Sequence, residues 1–314
     1  MPAPMGVRTV VARRLISGGV CSAKENSFEM KARFTEAAIE GVGLGLRSRH
    51  YGDLVSGTGS VPWLEVLADN YAHGDGLPLW NLERIRERYP VVFHGVGMSL
   101  GSAGPLDAGY LDAVLDLARR FEPTWFSEHL AWTSSGGRHH HELLPLPFID
   151  ETIQTLSDHV REVQDRLGQH MLVENSSFYA GFRVDQMSEI EFIGRVLEAA
   201  DCLLLLDINN LYVNAFNHGY DAREFLMALP PERVKQIHLA GHDDRDHYLV
   251  DAHGSPVAEP VWELYAQAVA LFPSVPVCIE WDRDVPAFEV LLAEAARART
   301  VGDPIATRRA PLHA

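Results

Sequence analysis

The side chains able to do chemistry in this sequence gather where short apolar runs end. Val91–Val96 carries His94, and Trp125–Glu128 closes on Glu128 with His129 next. Met171–Glu174 gives Glu174 and Asn175, and Leu203–Asp207 gives Asp207 with Asn209 and Asn210 just beyond. Val277–Trp281 holds Glu280 and leads to Asp282. Val234–Leu239 presents His238, with His242 four residues on and Asp251 and His253 behind it. Val42–Leu46 runs into Arg47, Arg49, His50 and Tyr51, and Trp63–Leu67 contains Glu65 before Asp69 and Asn70.

Taken singly, each has an ordinary structural use. A His in such a place usually satisfies a hydrogen bond, and an Asp or Glu caps the following helix. The joint pattern is different. Several carboxylates and imidazoles converging on one mouth repel and desolvate one another unless cations hold them. The pattern therefore points to metal binding, with ligands enough for more than one ion. Imidazole, carboxylate and amide oxygen without thiolate suits iron, manganese or catalytic zinc, and excludes iron–sulfur and structural zinc sites.

Convergence of this kind requires a scaffold that brings distant segments to one end. The eight runs alternate with amphipathic segments at Leu79–Tyr89, Ala108–Phe121, Ile149–Leu167, Glu189–Ala199, Ala222–Leu229, Pro260–Phe272 and Pro286–Ala298. Strand followed by helix, repeated around the chain, is the pattern of an α/β fold of the (β/α)8 TIM-barrel class. In that class the catalytic groups stand at the C-terminal ends of the strands. The barrel is expected as one catalytic domain over residues 41–299, after a disordered extension at 1–40 and before a loosely ordered tail at 300–314. Met30 is a candidate alternative start. The long connection Ala131–Pro147 is the expected functional loop.

Composition narrows the partners. The chain has 314 residues, 46% apolar and 22% charged, which suffices for a sizeable core. Lys and Arg number 27 against 43 Asp and Glu, a net charge of −16 that repels phosphate backbones and argues against nucleic acid. The first 35 residues differ, with six cations to two acids. No apolar stretch approaches a membrane span or a secretory core. Cys202 and Cys278 lie inside apolar runs and read, with Cys21, as free thiols, so a reducing cytoplasm is expected. Lysine occurs only at Lys24, Lys31 and Lys235, none at a strand end, which excludes Schiff-base chemistry. Gly97-Met98-Ser99-Leu100-Gly101 has the form of a nucleophile elbow but not its doubly wound setting. Gly41, Gly43 and Gly45 lack the dinucleotide-binding spacing. His139, His140 and His141 read as a solvated loop.

The motifs carry a family resemblance. Gly43-Leu44-Gly45-Leu46-Arg47 is followed by Arg49-His50-Tyr51 and Glu65-Val66-Leu67-Ala68-Asp69-Asn70-Tyr71. Phe93-His94-Gly95-Val96-Gly97-Met98-Ser99, Ser127-Glu128-His129-Leu130-Ala131-Trp132 and Leu144-Pro145-Leu146-Pro147 come next. Then follow Val173-Glu174-Asn175-Ser176-Ser177, Leu206-Asp207-Ile208-Asn209-Asn210, Ile237-His238-Leu239-Ala240-Gly241-His242, Asp251-Ala252-His253-Gly254 and Ile279-Glu280-Trp281-Asp282. Over about residues 41–298 the chain resembles the multinuclear non-haem iron-dependent oxidative enzymes of the MbnB/TglH type, in wording closest to the bufferin-type branch.

The resemblance implies an enzyme of natural-product biosynthesis that holds two or three irons, mixed-valent, at the barrel mouth. With O2 as co-substrate it would oxidise cysteine in a ribosomally synthesised precursor peptide. A separate leader-peptide-binding protein would complete a heterodimer. By position, His50, His94 and Glu128 would bind one iron, and Glu128 would bridge towards Glu174, Asp207 and His238. Asn175, Asp251, His253 and Glu280 would complete the cluster. Asn210 stands where some members have His, which alters a third iron site. His50, His94, Glu128 and Asp207 are the implied catalytic set; Arg49, Glu65, Asn70, His129 and His242 are supporting or substrate-contacting candidates. Two other readings share the ligand pattern: a metal-dependent hydrolase or isomerase of the endonuclease IV and sugar-isomerase barrel type, and a metal-binding partner protein without turnover. The net charge speaks against a DNA substrate, and the missing strand-end lysine against the isomerase.

Overall fold

Each of the eight apolar runs is a strand in the computed structural model, which describes residues 39–59 and 61–303. The expectations for the N-terminal extension up to residue 38, for Cys21 and Met30, and for the tail from residue 304 lie outside the described residues. The barrel strands are β1 (Val42–Gly45), β2 (Leu64–Leu67), β3 (Val91–Gly95) and β4 (Phe126–His129). After the hairpin β5 (Trp132–Ser135) and β6 (Arg138–Leu144) come β7 (Leu172–Glu174), β8 (Leu203–Asp207) and β9 (Val234–Leu239). A second hairpin, β10 (His242–Asp244) and β11 (Leu249–Asp251), precedes β12 (Val277–Ile279). Parallel pairing runs β1-β2-β3-β4-β7-β8-β9-β12 and returns to β1, closing an eight-stranded barrel.

Strands covered on both sides lose the alternation of half-exposed sheets and read as continuous apolar runs. Successive side chains nonetheless point to opposite faces, and the two faces pack as separate clusters. Trp63, Val92, Trp125, Leu172, Leu205 and Cys278 fill the barrel interior together with Ile39. Their neighbours Leu64, Val91, Phe93, Phe126, Val173, Leu204, Leu206 and Ile237 face the surrounding helices. Two residues beyond each interior-filling position, on the same face, stand Glu65, His94, Ser127, Glu174, Asp207 and Glu280. The apolar layer is thus the floor on which the polar mouth rests. β1 contributes Gly43 at this level because a Cβ there would fall inside the Trp63 indole.

The helices in chain order are α1 (Tyr51–Ser56), α2 (Asp69–Ala72), α3 (Leu77–Arg86), α4 (Ala108–Phe121), α5 (Asp150–Leu167), α6 (Glu189–Ala200), α7 (Ile208–His218), α8 (Ala222–Ala228), α9 (Glu259–Leu271) and α10 (Phe288–Gly302). Side-chain caps set several of their starts: Asp107 accepts from Tyr110 N–H for α4, and Ser188 from Glu191 N–H for α6. Two features depart from the sequence expectation. The connection at 131–147, expected as a functional loop with His139, His140 and His141 in a solvated loop, is the antiparallel β5–β6 hairpin, with those histidines on β6. A helix, α7, starts directly after β8, where the run of asparagines gave no helical signal. Ser99 lies in a loop at φ 58° and its hydroxyl accepts the Thr133 and Ser134 N–H groups, so it is not poised as a nucleophile. Among the described residues no helix is long and apolar enough to cross a membrane.

Candidate metal centre

The mouth is assembled from strand ends, and Asp207 shows how. As the last residue of β8 and the cap of α7, it accepts the Asn210 N–H on Oδ1 at 2.6 Å. Its Oδ2 is buried and accepts no hydrogen bond. The helix uses one oxygen and leaves the other facing the mouth. Asn175 fixes the backbone beneath: its Nδ2 donates to Asp207 O and its Oδ1 accepts from Asp207 N, both at 2.9 Å.

Three ligand groups run side by side through this space. His94, His129 and Glu174 form the first, Glu174, Asp207 and His238 the second, and Asp207, His253 and Glu280 the third. In each, the candidate atoms lie within 4.8 Å of one another and all are buried. Glu174 belongs to two groups and so does Asp207, so the three are continuous. Glu174 Oε2 is 3.1 Å from His94 Nε2 and 3.2 Å from His129 Nε2. His238 Nδ1 is 3.0 Å from Glu280 Oε2 and 3.6 Å from Glu174 Oε1. His253 Nδ1 is 3.3 Å from Glu280 Oε2, and its Nε2 is 2.7 Å from Asp251 Oδ1.

These short separations lack hydrogen-bond geometry and are attractive only where the imidazole carries a proton. Glu174 Oε2, Asp207 Oδ2, Asn210 Oδ1, His238 Nδ1 and His253 Nε2 are all buried without a hydrogen-bond partner. A buried polar atom left in that state costs about 1–3 kcal/mol, and native interiors rarely tolerate several together. Lone pairs converging on a common space rather than pairing with one another is what metal ligands require, so the residues present fit a multinuclear centre.

The electrostatics agree. Burial disfavours every charge here, yet Glu174 raises the His94 pKa and, with Glu128, lifts His129 to about 10. Glu65 and Glu280 hold His238 well above the ordinary imidazole range against the same burial, and Asp251, Asp282 and Glu280 do so for His253. Conversely, burial would raise Glu174 and Glu280, but His129 and His94 lower the first and His238 and His253 the second. Asp207 goes well up, from burial and then from the charges of Glu174 and Asp251, against the pull of His253 and His238. The site demands positive charge.

Below the mouth, His238 Nε2 lies 2.9 Å from Glu65 Oε2, which Gln236 Nε2 also reaches, while the Trp125 indole donates to Gln236 Oε1. Glu65, His238 and Cys278 make a fourth buried group at this depth. At the rim, burial opposes the Arg47 cation, but Asp282 and Glu280, both ion-paired with it, keep it charged. His253 holds φ 44°, in the left-handed region, and is fixed there because its N–H donates to Gly241 O while its carbonyl accepts from Asp282 N. Strain of this kind collects at functional sites.

Several sequence candidates have other partners. His50 is buried, with Nε2 at 2.9 Å from Pro286 O and its ring beside Phe288. Glu128 alternates with the interior-facing Ser127 and His129, and its oxygens accept the Met98 and His129 N–H groups. Neither joins a three-ligand group, and His129, expected only in support, takes the place beside His94. Asn175 spends its amide on Asp207. Arg49 is exposed and donates to Val285 O, and Asn70 is exposed on α2. Asp251 accepts from Asn209 and touches His253, while His242 Nδ1 lies 2.8 Å from Asn209 Oδ1. The sequence reading missed Gln236, two residues before His238 on the same strand face, and Ser127, whose hydroxyl lies 2.8 Å from His94 Nδ1. Each was visible as a polar residue in an apolar strand.

Similar proteins bear on this geometry. The Acaryochloris marina UPF0276 protein is 50% identical over 263 residues, covering 84% of this chain and 95% of that one. A UPF0276 protein of Anaeromyxobacter is 45% identical over 261 residues, covering 83% and 92%. In three dimensions the 3-keto-D-glucoside 4-epimerase of E. coli superposes with a TM-score of 0.53 at 14% identity, over 83% of this chain and 99% of that one, which establishes a shared barrel fold. The profile described as RiPP precursor modification enzyme MbnB/TglH/ChrH matches residues 41–303, the whole barrel with its mouth. By that match and those identities, the chain belongs to the MbnB/TglH/ChrH family of RiPP precursor modification enzymes.

Proposed function

We propose that this protein is an iron- and O2-dependent oxidase that modifies cysteine in a ribosomally made precursor peptide at a di- or tri-iron centre. The observation that carries the reading is the set of buried ligand atoms in the barrel mouth that accept or donate no hydrogen bond. Imidazole and carboxylate donors of this kind suit iron, and family membership supplies the peptide substrate class.

His94, His129 and Glu174 would hold one ion, Glu174, Asp207 and His238 a second, and Asp207, His253 and Glu280 a third, with Glu174 and Asp207 each common to two groups. Bound iron would supply one-electron chemistry with O2 and a coordination point that ionises a substrate thiol. The protein's own groups do the rest. Asp207 and Asn175 lock the β8–α7 corner, so Asp207 Oδ2 keeps its place facing the mouth. Glu65 faces His238 Nε2, which leaves Nδ1 turned to the mouth, as outer partners of ligating imidazoles do. Asp251 and Asp282 flank His253 and orient its ring. Arg47 offsets the acidic rim at Glu280 and Asp282. A leader-binding partner protein would present the peptide, and the reaction would run in the cytoplasm.

Metal analysis and O2 uptake test the reading together. The purified protein is expected to carry about two to three irons per chain and to consume O2 with a Cys-containing peptide but not its Ser counterpart. Zinc alone, with no O2 uptake, would overturn it. Sugar epimerisation by the zinc form would then return the chain to the isomerase barrels.

A further inference from the structure

Beside the mouth, between α6, α8 and the segment that joins β7 to α6, lies a cavity of 530 Å³. Phe178, Ile190 and Phe225 are among its apolar walls. Its carboxylates are Asp185, Glu189, Asp221 and Glu224, and no Lys or Arg lines it. Asp185 accepts the Phe148 and Phe182 N–H groups and Asp221 caps α8, so these carboxylates are held in place without being neutralised by a cation. The one imidazole present, His218, stacks on Phe178 with centroids 4.2 Å apart and meets the Phe178 carbonyl. Tyr179, Phe182 and Val184, all exposed, extend the apolar surface along the same segment.

The cavity is tied to the metal centre by a short stretch of backbone. Glu189, in the cavity wall, accepts from Asn214 Nδ2 and from the Tyr220 hydroxyl. Asn214 in turn donates to Ser176 O and accepts from Phe178 N–H. Glu174 is in the mouth and Phe178 lines the cavity, so at most about 14 Å of extended chain separates them.

We propose that this cavity seats a basic and apolar side-chain pair of the peptide substrate, within about four residues of the residue that reaches the metal centre. The inference rests on the reading of the substrate as a peptide. An apolar wall rewards burial of a hydrophobic side chain, and the carboxylates of Asp185, Asp221 and Glu224, with no Lys or Arg among the lining residues, select a cation and reject an acid beside it.

Three labelled Gly/Ser decapeptides test it by fluorescence anisotropy on the metal-loaded protein, one with a central Phe-Arg pair, one with Phe-Glu and one unmodified. The Phe-Arg peptide is expected to bind and the other two are not. The double variant Asp221→Asn/Glu224→Lys keeps the α8 cap and should weaken that binding by about tenfold. Equal binding of all three peptides, no binding of the Phe-Arg peptide, or undiminished binding by the double variant overturns the assignment. Metal content and O2 uptake report the mouth separately. Their loss alongside intact peptide selectivity would remove the oxidase reading and leave the cavity assignment in place.

Discussion

Asp207 divides its carboxylate between the fold and the site, and the two uses separate experimentally. Oδ1 caps α7 through Asn210 N–H, while Oδ2 is buried beside Glu174, His238 and His253 with no hydrogen bond. Asn is as good a cap as Asp, so Asp207→Asn should keep α7 while removing the carboxylate charge shared by two of the ligand groups. The expected result is loss of at least one bound ion with a melting temperature that holds or rises in the metal-free protein. Asp207→Ala also loses the cap, at about 1 kcal/mol. Elemental analysis and thermal melts of both variants decide it; full metal loading in Asp207→Asn would place the residue outside the centre. Residue identity was legible at this scale, because metal-capable side chains stood at nearly every strand end. Orientation was less so. Glu128 and His129 are adjacent and both ligating types, and only the alternation set by Trp125 and Ser127 on one face and Phe126 on the other turns His129 inward. His50 was similarly plausible until the Pro286 carbonyl, 236 residues away, claimed its Nε2.

At the level of elements, the barrel strands were readable because burial on both faces writes each as an apolar run. The connections were not. β6 is mostly exposed and carries Arg138, His139, His140 and His141, so no core-facing period marks it. The hairpin is positioned instead by tertiary bonds, the Trp132 indole to Pro145 O and the Thr133 N–H to Ser99 Oγ. α7 was hidden because its inner face carries the buried amides Asn209, Asn210 and Asn214, whose Nδ2 groups donate to Asp251, Asn175, Ser176 and Glu189 where apolar packing would otherwise mark a helix. The turn from β9 into β10 is equally dependent on its surroundings. A Cβ on Gly241 would overlap the Ser255 carbonyl and lie 2.7 Å from the Pro256 carbonyl. Backbone cannot yield as a side-chain tip can, so Gly241→Ala should push the 253–256 segment away and carry His253 from Glu280. A cost of about 1–3 kcal/mol in urea unfolding and a partial loss of metal are expected. A variant with wild-type metal content would show that His253 is held independently of this turn.

For the molecule as a whole, the net charge of −16 acquires a local meaning, since part of the acidic excess is buried at one end of the barrel. Without a metal, protons must serve as the cations there, and His129 keeps its proton up to about pH 10 because Glu174 and Glu128 outweigh burial. An imidazole whose folded pKa is raised contributes stability that is complete below its unfolded value, about 6.5, and vanishes as pH rises through the folded value. The metal-free protein should therefore lose stability between about pH 6.5 and 10, by an amount on the order of a few kcal/mol, as the imidazolium discharges beside buried carboxylates. A bound cation supplies that charge at any pH, so the iron-loaded protein should melt higher and with a flatter pH profile over the same range. Ligation also requires deprotonated imidazoles, so adding ferrous iron anaerobically to weakly buffered metal-free protein near pH 7.5 should acidify the solution. Proton release that accompanies the gain in melting temperature, and fails with it in Asp207→Asn, would link the charge demand of the fold to the metal centre. Matching pH profiles for the metal-free and iron-loaded forms would break that link, because the buried carboxylates would then be neutralised by something other than the ion.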